Sequence, residues 1–188
     1  MKLISEGFLE LNNIISIQDA QELSQKTINV IKKDKPIFNE DRGWCWALYK
    51  PQFLKGLMKE VKIIIEGISD IKLLPTYWFI TVYTNNSYLK PHTDRPSCEF
   101  SVSLNLKSEM NWPLFFKDKN NIQRGFVTDV GNGIAYLGCE RPHWRLPLVS
   151  ENKQLYIQSF FHYVNADGPY KSFANDSDKN YTNLSQKK

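Results

Sequence analysis

The chain has 188 residues, of which 41% are hydrophobic and 13% aromatic, and it carries a formal net charge of +4. This length and composition predict one globular domain with a sizeable core, and they exclude a globally disordered protein. Because the charge is small and no run of Lys and Arg is present, a nucleic-acid-binding protein is disfavoured and we expect no nucleic-acid partner.

No apolar stretch approaches the roughly 20 residues needed to cross a bilayer, so we expect no membrane association. Glu6 and Glu10 interrupt the apolar segment that a signal peptide would need. The three cysteines, Cys45, Cys98 and Cys139, are odd in number and lack metal-finger spacing, which suggests reduced thiols. These features predict a cytoplasmic protein, and the oligomeric state stays open.

The first part of the chain predicts two amphipathic helices. One spans residues 16–33, with Ser16 as the N-cap and apolar residues recurring at near-helical intervals. The other has Pro51 in its first turn and ends at Gly67. Between the helices, the aromatic segment at residues 43–49 predicts a strand or a packed loop.

After Pro75 the pattern changes to short β-type runs separated by turn residues. The predicted strands span residues 76–83, 99–106, 112–117, 126–130, 133–137, 143–149 and 154–164. Short strands at this spacing predict a sandwich or barrel rather than alternating β-α units. We expect a single α+β domain over residues 1–168, followed by a polar, flexible tail at 169–188. The helical part of this domain covers residues 1–74, and its β core covers residues 75–164.

Two of the three histidines lie in segments that suggest a metal site. His92 and Asp94 form a His-x-Asp pair, and alternate residues of an extended chain point to the same side, so both side chains can reach one ion. His143 lies far enough along the chain to arrive from a distant strand. Two histidines and one carboxylate leave three adjacent positions of an octahedral metal open, the arrangement that non-haem Fe(II) oxygenases use.

The surroundings of these residues resemble the iron(II)- and 2-oxoglutarate-dependent oxygenase superfamily, in particular its prolyl-hydroxylase-like members. Residues 82–94 are similar to that family's entry to the first ligand pair, with a Tyr on the preceding strand, a polar turn and then His-x-Asp. Residues 131–138 resemble the tight turn and strand that lead to the distal histidine. The segment 138–145 is most similar to small uncharacterised microbial or viral members.

The resemblance implies a double-stranded β-helix, or jelly roll, with the N-terminal helices packed on the main sheet. It implies that His92, Asp94 and His143 bind Fe(II), that 2-oxoglutarate is the cosubstrate and that O2 is consumed. It also implies hydroxylation of a substrate with release of succinate and CO2. The substrate stays open among a peptidyl prolyl residue, an amino acid and another small metabolite.

Four residues are candidates for binding the cosubstrate. The family places a basic residue about ten positions after the distal histidine, which here is Lys153. Arg145 is the preferred anchor, because it lies two residues after His143 and points the same way on a strand, and because a buried arginine needs an anion. We expect Tyr83 to hydrogen-bond the cosubstrate. Ser103 matches a cosubstrate-contacting position, provided that the polar face of its strand lines the cavity.

Two other interpretations stay open. A cupin-like dioxygenase or isomerase would use the same metal without 2-oxoglutarate, but cupins typically bring more histidines to the metal than this chain offers. A non-catalytic β-sandwich binding module would leave His92 and His143 incidental. We interpret the third histidine, His162, which lies in an aromatic segment, as structural.

Overall fold

A computed structural model describes residues 2–36, 38, 45–149 and 154–175. The helices are α1 (Lys2–Glu6), α2 (Ile17–Asp34) and α3 (Lys55–Ser69). The strands are β1 (Phe8–Leu11), β2 (Cys45–Tyr49), β3 (Leu73–Tyr83), β4 (Leu89–His92), β5 (Phe100–Ser108), β6 (Leu114–Lys117), β7 (Gln123–Phe126), β8 (Gly133–Tyr136), β9 (His143–Arg145) and β10 (Tyr156–Asn165). In this part of the chain, no helix is both long enough and apolar enough to span a membrane.

The strands form two antiparallel sheets, so the expected combination of helices and antiparallel strands is confirmed. A six-stranded sheet has the order β1-β8-β5-β10-β3-β2, and a four-stranded sheet has the order β4-β9-β6-β7. Helices α2 and α3 pack on one face of the six-stranded sheet and bury the largest hydrophobic cluster there. The other face meets the four-stranded sheet, where β6 and β8 contribute side chains to a shared cluster.

Helix α2 begins as the sequence predicted. The Ser16 side chain accepts a hydrogen bond from the Asp19 backbone N–H at 3.0 Å and donates to the Asp19 carboxylate at 2.6 Å, which satisfies a free N–H of the first turn. On the buried side of the helix, the Ser24 hydroxyl donates to the Leu106 carbonyl oxygen on β5 at 2.9 Å. This contact ties α2 to the centre of the six-stranded sheet.

Helix α3 does not end at Gly67, so that predicted boundary is wrong. The helix continues to Ser69, which is buried and donates its hydroxyl to the Ile65 carbonyl oxygen at 2.7 Å. Asp70 ends the helix in a left-handed conformation (φ 54°), and its N–H donates to the Glu66 carbonyl oxygen. Packing of the last turn against the core outweighs the helix-breaking tendency of glycine, which costs only about 1 kcal/mol.

The strand predicted at 126–130 is also wrong, because the pairing in β7 ends at Phe126. The following segment crosses from the four-stranded to the six-stranded sheet. There the Asn105 side chain donates to the Thr128 carbonyl oxygen at 2.6 Å, and the Gly131 N–H donates to the Asn105 carbonyl oxygen at 2.9 Å. These tertiary hydrogen bonds outweigh the β propensity of the run.

The strand predicted at 143–149 ends early, at Arg145. Beyond Pro147 the backbone turns to the loop after β3, where the Leu148 N–H donates to the Ser87 carbonyl oxygen at 2.7 Å and the Leu148 carbonyl oxygen accepts from the Asn86 N–H at 2.8 Å.

Strand β3 begins at Leu73 instead of residue 76. A register shift after His162 in the partner strand accommodates the proline inside β3.

Four of the helices and strands had no counterpart in the sequence-based prediction: α1, β1, β4 and, apart from its last residue, β7. Strand β1 is an edge strand that pairs with β8, and β4 is short and contains Pro91, so neither carries a clear period-2 pattern. Parts of the predicted packed segment and of the predicted tail lie outside the described residues, namely 43, 44 and 176–188. Residue 153 also lies outside them.

We expect Tyr163→Phe to lower the free energy of unfolding by about 1 kcal/mol. The buried Tyr163 hydroxyl donates to the Met58 carbonyl oxygen at 2.7 Å and links β10 to α3. Urea denaturation measures the change, and Tyr170→Phe at a half-buried ring is the matched control. Equal stability of the two variants would show that this hydrogen bond does not hold the helix on the sheet.

Candidate metal site

The two candidate histidines meet because strands β4 and β9 pair side by side. In this antiparallel pair, His92 lies directly opposite His143. The pairing is irregular between Leu89 and His92, and such a bulge re-aims the end of a strand. Asp94 follows two residues later, where its backbone N–H donates to the Gly138 carbonyl oxygen at 2.8 Å. Side chains from two segments that are far apart in the sequence therefore reach one point.

Asp94 lies at the centre of this group. Its Oδ1 is 3.4 Å from His92 Nε2 and 3.6 Å from His143 Nε2. These separations fit within the roughly 4 Å span across one ion that has bonds of about 2.1 Å to each atom. The candidate ligand atoms of all three residues lie within 4.8 Å of one another. His143 is buried and the His92 side chain is 38% exposed, so the group is open to solvent on the β4 side.

Backbone carbonyl groups fix the orientation of both imidazole rings. His92 Nδ1 is 2.8 Å from the Lys90 carbonyl oxygen, and His143 Nδ1 is 2.9 Å from the Arg141 carbonyl oxygen. Because a carbonyl oxygen can only accept, we assign the proton to each Nδ1, which then donates. Each Nε2 therefore presents its lone pair, and carbonyl-oriented imidazoles of this kind are typical of metal ligands.

A repeated tripeptide produces this geometry. A basic residue, a proline and a histidine follow one another at 90–92 and again at 141–143. In both copies, the carbonyl group before the proline accepts the hydrogen bond from the imidazole. The repeat is a sequence signal that relates the two histidines to each other, which His-x-Asp spacing alone does not do.

The pKa shifts of Asp94 and His143 favour the charge states that suit metal binding. Burial opposes ionisation of Asp94, but the hydrogen bond with His92 and the charge of His143 outweigh burial and hold the carboxyl pKa below its usual range. The hydrogen bond with Asp94 raises the pKa of His92, whereas burial lowers the pKa of His143. An ionised carboxylate and a neutral imidazole are the protonation states that bind metal ions. A bound ion therefore has to displace the Nε2 proton that Asp94 favours on His92.

A second set of potential ligands shares the same carboxylate: Asp94, Cys98 and His162. Its atoms already have protein partners, since Tyr77 Oη is 3.0 Å from Cys98 Sγ and Ser101 Oγ is 2.8 Å from His162 Nδ1. Burial raises the pKa of the Cys98 thiol to about 12 and lowers that of His162 to about 4. A protonated thiol is a poor metal ligand, so the set with His92 and His143 is the better candidate.

Arg145 faces the interior, on the same side of β9 as His143. It is 4% exposed and donates to the Trp112 carbonyl oxygen and, at 2.9 Å, to Gln158 Oε1. Its guanidinium lies 4.4 Å from the centre of the Trp112 ring and 5.0 Å from that of Tyr156. The sequence did not place these three residues around Arg145, because Trp112 comes from the loop before β6 and both Tyr156 and Gln158 come from β10.

The other cosubstrate candidates have different positions. Tyr83 is buried, its ring lies edge-on to Trp112 at 4.9 Å, and burial raises its pKa. Ser103 is 1% exposed, and its hydroxyl has no hydrogen-bond partner among the described residues. The polar face of β5 is therefore buried and does not face solvent. Lys153 lies outside the described residues.

Alternation along β9 separates the site from an outer aromatic pair. His143 and Arg145 point inward, whereas Trp144 stacks on Phe115 at 5.7 Å on the opposite face. Trp144 therefore does not line the interior. Tyr136, on the six-stranded sheet, lies beside His143, with ring centres 4.9 Å apart.

Solved structures with a similar fold include a non-heme α-ketoglutarate-dependent carbocyclase and an oxidoreductase of the 2OG-Fe(II) oxygenase family, which confirms the expected resemblance in fold. A prolyl-4-hydroxylase from Pseudomonas putida aligns with a TM-score of 0.67 at 13% identity, covering 86% of this chain and 95% of that one. The carbocyclase SnoK of nogalamycin biosynthesis aligns with a TM-score of 0.73 at 10% identity, covering 88% and 82%. The epimerase SnoN, solved with Fe3+, α-ketoglutarate and nogalamycin RO, aligns with a TM-score of 0.68 at 8% identity, covering 86% and 80%.

At these identities the likeness establishes a shared fold. No protein-family model matches the sequence, and no curated protein matches it. The reaction of this protein therefore has to be inferred from the residues of its own site.

We expect Gly138→Ala to weaken metal binding at least 10-fold, the lower end of the loss caused by removing groups that orient a ligand. A Cβ at this position would lie 2.4 Å from Asp94 Oδ2 and 2.5 Å from the Cys98 carbonyl oxygen, so Asp94 must move. Anaerobic titration with Co(II) measures the change.

Gly56→Ala is the matched control for this prediction, because a Cβ there meets no atom within 4 Å. Alanine also favours the helix in which Gly56 lies. Unchanged Co(II) affinity in the Gly138→Ala variant would contradict the placement of Asp94 in the metal site.

Proposed function

We propose that this protein is an Fe(II)- and 2-oxoglutarate-dependent oxygenase in which His92, Asp94 and His143 hold the iron. The proposal is carried by one observation, the convergence of both Nε2 atoms on one carboxylate oxygen of Asp94. We also propose that the two antiparallel sheets form a double-stranded β-helix within a single domain at 1–168. The oxygenase fold of the compared structures supports this interpretation.

The donor set fits iron(II). Two imidazole nitrogens and one carboxylate oxygen occupy three positions of an octahedral ion and leave three for a chelating cosubstrate and O2. The carbonyl groups that orient both rings hold a proton on each Nδ1, so that Nε2 is the free nitrogen of the neutral ring. The partial exposure of His92 leaves the group accessible.

Arg145 is our candidate for the far carboxylate of 2-oxoglutarate. It is a buried cation, and among the residues that the structure describes no carboxylate forms an ion pair with it. Two strand residues span about 6.6 Å, so a five-carbon diacid chelated beside His143 has the length to reach the guanidinium. An anion there compensates the desolvation of a buried cation. Tyr83 and Ser103 would add contacts to the same ligand.

The bound iron and 2-oxoglutarate would supply oxidative decarboxylation to succinate and CO2, coupled to hydroxylation of a substrate C–H bond. In this proposal the chain contributes position and exclusion of water. The three ligands fix the ion, Arg145 fixes the cosubstrate, and the aromatic rings around Arg145 keep that end dry. The substrate is a peptidyl prolyl residue, an amino acid or another small molecule.

The cupin-like alternative gains no support, because the third histidine lies in the second set with Cys98 and not beside His92 and His143. A non-catalytic binding module does not require two imidazoles oriented by equivalent carbonyl hydrogen bonds. The oxygenase proposal accounts for that equivalence.

Anaerobically purified protein, given Fe(II) and 2-oxoglutarate and then O2, is expected to form succinate slowly without substrate and faster with the right candidate. His143→Ala should abolish this turnover, because it removes a buried iron ligand. Trp144→Phe, on the opposite face of the same strand, should retain it. Absence of both iron binding and succinate formation in the wild-type protein would refute the proposal.

Arg145→Ala is expected to raise the apparent KM for 2-oxoglutarate at least 10-fold, since a hydrogen bond to a charged group contributes about 1.5–3 kcal/mol. Arg145→Lys should recover part of the affinity, because lysine keeps the charge but loses the bidentate geometry. Lys153→Ala, measured in parallel by succinate formation, should leave the KM unchanged. If Lys153→Ala raised the KM for 2-oxoglutarate and Arg145→Ala did not, Lys153 would be the anchor.

A further inference from the structure

A row of four inward-facing side chains crosses the six-stranded sheet next to the metal group. The strand register pairs Tyr77 with His162, His162 with Ser101, and Ser101 with Tyr136. All four side chains are buried. Tyr136, at one end, packs against the ring of His143. The middle of the row contacts the carboxylate of the proposed iron site.

Ser101 is the member that touches the carboxylate. Its Oγ is 3.4 Å from Asp94 Oδ2 and 3.2 Å from the Cys98 carbonyl oxygen, so one hydroxyl proton is shared between two acceptors. On its other side the same Oγ lies 2.8 Å from His162 Nδ1. Because Asp94 Oδ1 faces the two ligand histidines, Ser101 holds the oxygen on the other side of the carboxylate.

The hydrogen-bond directions follow from counting donors. His162 Nε2 is buried without a hydrogen-bond partner among the described residues. If Nε2 carried the proton, that donor would be orphaned and Ser101 would have to donate to Nδ1, away from Asp94. If Nδ1 carries the proton, it donates to Ser101 Oγ, and the Ser101 hydroxyl is then directed to its acceptors. The second arrangement leaves neither the His162 N–H nor the Ser101 hydroxyl unpaired.

Aromatic stacking holds the His162 ring in that orientation. The ring lies 4.5 Å from the Tyr77 ring and 5.6 Å from the Phe79 ring, with interplanar angles of 30° and 17°. A stacked ring cannot rotate without breaking these contacts. Stacking thus fixes the plane of the ring, and the hydrogen bond with Ser101 selects the orientation that places Nδ1 on that hydroxyl.

We propose that Ser101 and His162 are positioning residues for Asp94, with His162 acting through the Ser101 hydroxyl. They turn the carboxylate so that Oδ1 faces His92 and His143. The inference rests on the proposed function, since it concerns the same metal group. It gives the third histidine a role beyond packing, because its N–H orients a hydroxyl that orients a ligand.

The test is an anaerobic Co(II) titration of four proteins, followed by visible absorbance. Ser101→Ala and His162→Phe should each raise the dissociation constant about 10-fold, the lower end of the loss seen when groups that orient a ligand are removed. His162→Phe keeps a stacked aromatic ring and removes both ring nitrogens, of which only Nδ1 has a hydrogen-bond partner among the described residues. The double variant should be no worse than Ser101→Ala, because both changes interrupt one path. If the double variant instead weakens Co(II) binding by the product of the two single effects, the two residues do not act through one path and the proposal is overturned.

Two controls separate positioning from packing. Ser159→Ala also removes a buried hydroxyl, but one that, unlike that of Ser101, has no partner in the described structure. It should leave the Co(II) affinity unchanged. His162→Asn retains an N–H donor near the place of Nδ1 and should restore affinity, even if its thermal stability falls. Failure of His162→Asn to exceed His162→Phe would refute the role of the N–H.

The outcomes also separate this inference from the proposed function. A wild-type protein that binds Co(II) with the same affinity as Ser101→Ala and His162→Phe retains its metal site but contradicts the positioning role. A wild-type protein that does not bind Co(II) overturns both.

Discussion

The pairing of β4 with β9 is the constraint on which the candidate site depends. It sets His92 opposite His143, so one strand pair supplies both imidazoles, and Asp94 needs only a short turn to join them. The two strands are four and three residues long, too short to keep this register alone. Strand β9 also pairs with β6, where His143 lies opposite Phe116, and the Gly138 carbonyl holds Asp94 from a third segment. The geometry is thus a property of the whole four-stranded sheet.

The six-stranded sheet contributes the chemistry that surrounds this group. Helices α2 and α3 bury its outer face in apolar contacts, which leaves the inner face available for polar side chains. Ser101, Asn105 and Gln158 are all buried there, and buried polar groups are stable only with partners. Several of those partners lie in or beside the site: Ser101 contacts the Asp94 carboxylate, and Gln158 accepts from Arg145. The hydrogen bonds that give the buried polar side chains of this sheet their partners therefore also orient the candidate functional groups.

Much of the fold could be predicted from local pattern. The capping serine of α2 and most of the β-type runs after Pro75 correspond to observed elements, because side-chain period and turn residues act over a few positions. Predictions failed where distant contacts decide. The run after Phe126 leaves the sheet because Asn105 binds its backbone, and α3 passes Gly67 because its last turn packs on the core. The short strand β4 escaped prediction because it contains a proline and depends on its partner.

For the site, the sequence by itself determined the candidate ligands His92, Asp94 and His143, since residue type, spacing and the family-like context are local properties. It also favoured Arg145, because alternation on a strand is a local rule. Only the tertiary structure decided that both imidazoles converge on one oxygen of Asp94, and that His162 lies against the same carboxylate through Ser101. The physical reason is strand register, which places residues side by side through hydrogen bonds between segments far apart in the chain.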